Sequence, residues 1–280
     1  MGEAAFAGLV AGLFGLTIGS FLNVCSLRWP LDQSVVSPRS RCPRCEELIR
    51  WYDNIPVLSW LFLRGRCRHC GKRVSVQYPL VELATGLVWA GAFAAYGPSW
   101  EAFRGALFLT ILFGISVSDA RFYIIPDEFS VGGAVLGLGL SFLPGGLDWL
   151  QAIIGAVVGY GSLWLVGVIG TRVIKRVAPE RLEEAGVDQA MGGGDIKMMM
   201  MIGAFLGVWG VMLSTLLGSV LALLVYTFGM MLGMLVGGPL EDLSKRLIPL
   251  GVFLAAGAAV AYAWGDPMIA WYLRFTGLNG

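Results

Sequence analysis

Apolar residues come in long runs along this chain, with polar residues in blocks between them. Runs of about 20 apolar residues are long enough to cross the hydrocarbon core of a bilayer as helices. Eight such runs stand out, at 4–27, 79–96, 102–118, 129–143, 149–173, 196–209, 211–236 and 248–264. The sixth is short, and its join to the seventh is the least sharply marked. The connections at 97–101 and 144–148 are tight, whereas 174–194 is longer, polar and charged. The one long polar stretch is 28–76, too short to build a large core. The pattern predicts an all-α polytopic membrane protein of about eight transmembrane helices. It would comprise a first helix at 1–27, a small domain at 28–76 and a seven-helix membrane domain at 77–280.

Composition supports this pattern. Of 280 residues, 56% are hydrophobic and only 14% charged, with a mean hydropathy of +0.72. A water-soluble domain is not built this way. Forty glycines suit helices that approach closely in lipid. The net charge of +1 gives no reason to expect nucleic acid as a partner.

The distribution of that charge predicts orientation, because cytoplasmic loops are enriched in Lys and Arg. Met1-Gly2-Glu3 brings no basic residue before the first run, and the basic residues follow it, so a retained first helix with its N-terminus outside is expected. On that topology the inner side holds ten Lys or Arg in 28–76, Arg121, five in 172–197, and Lys245 and Arg246. Only Arg104 and Arg274 fall outside. The 28–76 domain and the ends of the helices near residues 119 and 195 would then face the cytoplasm.

Four of the five cysteines form two C-x-x-C pairs, Cys42 with Cys45 and Cys67 with Cys70, 21 residues apart. Four thiolates at such spacing suit a tetrahedral zinc ion on two tight turns, and Gly65 and Gly71 flank the second pair. A closed four-sulfur shell leaves no position for water, so the zinc would be structural. Disulfides are the alternative, disfavoured in a reducing compartment. His69 is either an exposed loop residue or a competing ligand, and Cys25, alone in the first run, reads as packing. The basic residues of this domain meet either lipid headgroups or plain solvent.

Ionisable groups at the ends of apolar runs carry the remaining chemistry, because charge near hydrocarbon is costly. Asp119 closes the third membrane run, and Asp195 follows Gly192-Gly193-Gly194 at the mouth of the sixth. Brought together, two carboxylates can share a proton and activate a water for attack on a peptide carbonyl. Gly192 and Gly194 would let backbone bend and a substrate strand come close. The alternative is charge at helix ends reaching water, with Asp195 as a cap. Asp127, after Pro126, reads as an N-terminal cap or a site residue. Lys197 holds either the pair's charge or a lipid phosphate. Glu82 is either functional or a hydrogen-bonded structural group. Met198 to Met201 would face lipid or fill gaps.

These residues together resemble a known family, the type IV prepilin peptidases. The resemblance is carried by Gly19-Ser20-Phe21-Leu22-Asn23-Val24, Arg28 and Pro30, and by Pro38 through Cys45. It continues through Asp53-Asn54-Ile55-Pro56-Val57-Leu58-Ser59-Trp60, Arg64 through Cys70 and Tyr78-Pro79-Leu80-Val81-Glu82. It closes with Asp119 through Asp127 and Gly192-Gly193-Gly194-Asp195-Ile196-Lys197. It spans roughly residues 19 to 205. The resemblance implies a G-x-G-D-type membrane aspartyl protease of the bacterial inner membrane, with Asp119 and Asp195 as the catalytic pair. Its substrates would be type IV prepilins or the pseudopilins of type II secretion, cut after a glycine that ends a short basic leader. It also implies methylation of the new N-terminus with S-adenosylmethionine as methyl donor, an activity that accompanies the cysteine-bearing loop. No glycine fingerprint of a soluble methyltransferase fold is present, and no residue is assigned to the methyl donor. Glu180, Glu183 and Glu184 are candidate contacts for the basic leader, or a solvated loop. A peptidase without the second activity, a proton- or cation-coupled transporter and an assembly protein are the competing expectations. Against transport, the two aspartates lie at run ends rather than midway, and no internal repeat is seen.

Overall fold

The computed structural model describes residues 2–180, 187–236 and 249–277. Glu183, Glu184, Lys245 and Arg246 lie outside the described residues. Helices dominate: α1 Gly2–Arg28, α2 Leu58–Phe62, α3 Gln77–Tyr96, α4 Trp100–Phe122, α5 Asp127–Leu140, α6 Trp149–Val177, α7 Gly193–Val236 and α8 Leu250–Phe275. No strand longer than an isolated bridge occurs among the described residues. Six of these helices are long and apolar enough to cross a membrane, namely α1, α3, α4, α6, α7 and α8. The chain is an all-α polytopic membrane protein.

The expected eight segments are found, with a shifted boundary. α7 runs 44 residues but breaks at Gly207, whose φ of 68° and ψ of −170° lie outside any helix. The apolar run is unbroken there, so hydropathy alone puts the join two or three residues too late. The halves are 193–206 and 208–236. The first half and α5 each have about 14 residues, or roughly 21 Å at 1.5 Å per residue. That is shorter than the roughly 30 Å hydrocarbon core.

By packing, the chain forms two units, residues 1–114 and 115–280. In the first, α1 and α3 lie antiparallel along a glycine stripe. Gly8, Gly12, Gly15 and Gly19 face Ala90, Gly86, Trp89 and Glu82, close enough that a Cβ at Gly19 would come within 2.7 Å of the Glu82 Cα. Small residues at 4-3-4 spacing put one face of α1 directly on the α3 backbone. Trp89 anchors the centre with Ala11, Ala106 and Phe103 around it, and its indole N–H donates to Thr110 at 3.0 Å. Nearer the polar loop, the buried Asn23 amide donates to the Tyr78 carbonyl at 3.1 Å.

The second unit is built on α7. Its first half packs antiparallel to α6, where Gly155 meets Gly203 and Gly159 meets the Met199 backbone. α5 runs parallel beside that half, Ile125 against Gly194 and Gly137 against Phe205. α8 packs antiparallel on the second half, Leu254 against Gly218 and Gly257 against Ser214. Met198, Met199, Met201 and Ile202 are fully buried. The methionine run therefore fills the core of this unit, where unbranched side chains fit irregular gaps.

Candidate functional site

Four helix ends meet around the two aspartates. Asp119 lies in the last turn of α4 and is 5% exposed. After it the backbone turns at Tyr123, with φ of 56°, and the Tyr123 amide donates to the Asp119 carbonyl at 2.9 Å. The buried Ile125 and then Pro126 redirect the chain into α5. Asp195 lies in the first turn of α7, half-buried. The Ile125 side chain lies against both Gly194, next to Asp195, and Gly251, next to the Asp119 carboxylate, so the two aspartates belong to one cluster. One Asp119 oxygen, Oδ2, accepts from the Val252 amide at 3.2 Å, at the start of α8. Gly251 is needed there, because a Cβ would come within 2.8 Å of that oxygen. A Cβ on Gly192 would approach the Asp195 Oδ2 to 3.1 Å, and one on Gly194 would press on Ile125 at 3.0 Å. The glycine run thus lets α7 begin hard against α5 with its carboxylate uncovered. The N-termini of α5, α7 and α8 all lie at this cluster, and their unpaired amides favour negative charge nearby.

Asp127 is not a side-chain cap. The cap position is Pro126, which makes no side-chain hydrogen bond, and Asp127 is the first helical residue. Its carboxylate receives the Lys197 ammonium at 2.7 and 2.8 Å. Lys197 therefore ties the start of α7 to the start of α5. Both side chains are substantially exposed, so the pair contributes little. Lys197→Met is expected to lower stability by less than about 1 kcal/mol, read as a small shift in the melting of the purified protein. A large loss would mean the pair sets the relation of the two helices.

The four cysteine sulfurs lie within 4.8 Å of one another. A Zn–S bond of about 2.3 Å gives tetrahedral edges of about 3.8 Å. The Cys42 and Cys70 sulfurs stand 3.9 Å apart, and none of the cysteines is in a disulfide. The set could hold a zinc ion. Two matching turns present it. The Cys42 amide donates to Glu47 and Glu46 to the Cys42 carbonyl; 25 residues later Cys67 donates to Lys72 and Gly71 to the Cys67 carbonyl. Bridges Arg41 to Leu48 and Arg66 to Arg73 close the two hairpins. Burial opposes ionisation of Cys42, yet the amides of Arg44 and Cys45 and the neighbouring sulfurs together hold its thiol down to about 7. The Glu47 amide favours the Cys45 thiolate, but burial and the other three sulfurs push it up to about 12. Alone, the sulfurs compete for charge; a divalent cation lets all four ionise. His69 is exposed and outside the cluster.

The residue after each second cysteine takes positive φ, 66° at Gly71 but 58° at Glu46. Only the first turn holds a side chain in the left-handed region. Glu46→Gly is therefore expected to stabilise the first turn by about 1 kcal/mol, seen as slower metal loss to a chelator. Faster loss would mean that the Glu46 side chain supports the turn.

Glu82, buried in α3, serves the polar loop. It accepts from the Val57 amide at 2.7 Å. Val57 has φ of 60° and ψ of −50°, and the Leu58 amide reaches back to the Pro56 carbonyl at 2.6 Å. A β-branched residue at the centre of such a turn is strained, and the Glu82 carboxylate holds it. Spacing alone gives no hint of this role. Cys25 is buried within α1, and Glu180 is exposed beyond α6.

Comparisons with known proteins show the family of the chain. Residues 13–96 match the family model described as the bacterial peptidase A24 N-terminal domain, and residues 106–228 that of the type IV leader peptidase family. A Myxococcus xanthus protein named prepilin leader peptidase/N-methyltransferase is 42% identical over 206 residues, covering 73% of this chain and 57% of that protein. The Bacillus subtilis protein of the same name is 33% identical, covering 94% of this chain and 96% of its own length. That of Xanthomonas campestris is 32% identical, covering 100% and 97%. No solved structure matches the chain.

Proposed function

The chain belongs to the type IV leader peptidase family, and on that footing we propose that Asp119 and Asp195 are the catalytic pair of a prepilin leader peptidase. One carboxylate takes a proton from the attacking water while the other hydrogen-bonds the scissile carbonyl. The water oxygen ends in the new carboxyl group, the C–N bond breaks and a proton passes to the leaving amine. The observation that supports this reading is the gathering of Asp119 and Asp195 at one cluster of four helix ends, around Ile125 and Gly251.

The substrate is a prepilin or pseudopilin whose apolar helix lies in the membrane and whose basic leader lies in water. The enzyme sits in the bacterial inner membrane with its N-terminus outside and its dyad toward the cytoplasm. The strong Lys and Arg bias of the inner loops supports that orientation. A structural zinc on Cys42, Cys45, Cys67 and Cys70 braces the 28–76 domain.

The enzyme then methylates the amine that cleavage exposes. S-adenosylmethionine supplies an electrophilic methyl group on its sulfonium. The protein's task is to hold the amine deprotonated and in line with it.

The test is a membrane assay with a prepilin substrate and mass spectrometry of the mature N-terminus. The expected product begins after a glycine and carries one methyl group. An intact leader would overturn the peptidase reading, and an unmethylated product would remove the second activity alone.

A further inference from the structure

The N-terminal unit contains a pocket of about 420 Å³ that neither the dyad nor the cysteine cluster uses. That volume is in the range of small-molecule sites. One wall is a stripe of α1 running Thr17, Ser20, Phe21, Val24 and Arg28, on the opposite face from the glycines that pack on α3. The other wall is the polar loop, including Arg39, Trp51, Asn54 and Pro56.

We propose that this pocket binds the methyl donor S-adenosylmethionine, with Trp51 and Phe21 against its adenine and sulfonium, Asn54 on the base edge and Arg28 or Arg39 on its carboxylate. The proposal rests on the methyltransferase reading above.

Each part of the ligand finds matching chemistry. Adenine is a flat aromatic that stacks on Trp or Phe and offers a donor and acceptors that a carboxamide can meet. A sulfonium is a weakly hydrated cation, and an aromatic face attracts it. No carboxylate lines the pocket, so aromatic faces are the groups available for that charge. The amino-acid carboxylate needs a cation. Arg28 spends one N–H on the Ser34 carbonyl at 2.9 Å and keeps four others, while Arg39 forms no ion pair among the described residues.

The pocket is also held rigidly, from two directions. On one side, Arg68 in the second cysteine turn grips Asp53 through both carboxylate oxygens, at 2.6 to 3.0 Å. That fork fixes the short 3₁₀ turn Trp51–Asn54, so the metal-binding turn sets the wall that carries Trp51 and Asn54. On the other side, buried Glu82 clamps the strained turn at Val57, next to Pro56. Strain retained beside a cavity is common where a ligand must be met by a preformed surface. On this proposal, methylation depends on the cysteine turns because they position the pocket wall.

The test uses the full-length enzyme purified in detergent with its metal. Binding of the product analogue S-adenosylhomocysteine is measured by calorimetry on wild type, Trp51→Ala, Asn54→Ala and Arg68→Ala. Trp51 is 75% exposed, so its removal hollows no core. Affinity is expected to fall about tenfold or more for Trp51→Ala, as loss of one stacking face implies. Leader cleavage and metal content should be unchanged and the methylated product lost. Arg68→Ala should weaken binding while keeping its metal. Photolabelling with S-adenosylmethionine should mark peptides within residues 17–56. Wild-type affinity and methylation in the Trp51 and Asn54 variants would overturn the pocket. So would a label elsewhere, or a phospholipid that occupies the cavity and is not displaced by S-adenosylhomocysteine. A wild-type enzyme that cleaves but neither methylates nor binds S-adenosylhomocysteine would instead overturn the methyltransferase reading, and the pocket assignment with it.

Discussion

An Asp195→Asn enzyme is expected to fold, to keep its metal and to leave prepilin uncut. Asparagine matches the shape of aspartate but can neither take a proton from water nor share one with Asp119. The expected loss is at least about 10³-fold in cleavage rate, at the level of general acid–base catalysis. Asp119→Asn should fail equally. Its Oδ2 already accepts from the Val252 amide, and a carboxamide that turns its NH₂ toward that donor would also lose the position the pair needs. On the proposed mechanism the two groups act as one device, so the double variant should be no slower than either single one. Leader cleavage in membranes, followed on a denaturing gel, checks all three. Normal cleavage by either single variant would remove that aspartate from the chemistry.

The second large effect concerns folding. Gly203→Leu is expected to destabilise the membrane domain by about 3 kcal/mol or more. A Cβ at Gly203 would fall on the Gly155 carbonyl, far inside contact distance, and neither backbone can step aside without separating α6 from α7. α6 also meets the Met199 backbone through Gly159, so one displaced contact disturbs both. Gly161→Leu is the control: it lies on the partner helix α6 of the same contact, with open space around it. Thermal unfolding of the two purified variants makes the comparison, and a Gly203→Leu protein that melts like wild type would show that the contact is not a constraint.

Much of this architecture was legible in the chain because lipid makes hydropathy a direct record of helices. The eight apolar segments, the two cysteine turns and the two helix-end aspartates all follow from local spacing. What was not legible depends on contacts far apart in sequence. Asp127 looks like a cap until Lys197, 70 residues later, is seen to reach it. Glu82 is an isolated carboxylate until Val57 is placed over it. The break at Gly207 leaves no polar mark, and only its backbone angles reveal it. The pocket has no motif because its walls, a face of α1 over 17–28 and a loop over 35–56, line it at positions with no fixed spacing.

The bend at Gly207 also works as a ruler. Unbent, the 44 residues of α7 would extend about 66 Å, twice the hydrocarbon thickness of a bilayer. Bent, the helix has a fixed origin about 18 Å along its axis from Asp195, twelve residues at 1.5 Å each. On the proposed chemistry, the distance of the cut from the bend along this helix is then set by the count of residues between the bend and the carboxylate. Adding one residue to that count would lift Asp195 by only about 1.5 Å but swing it through about 100° around the helix, away from Asp119. The position of the Asp195 carboxylate relative to the bend is thus encoded as an integer, and intermediate positions are not available to it.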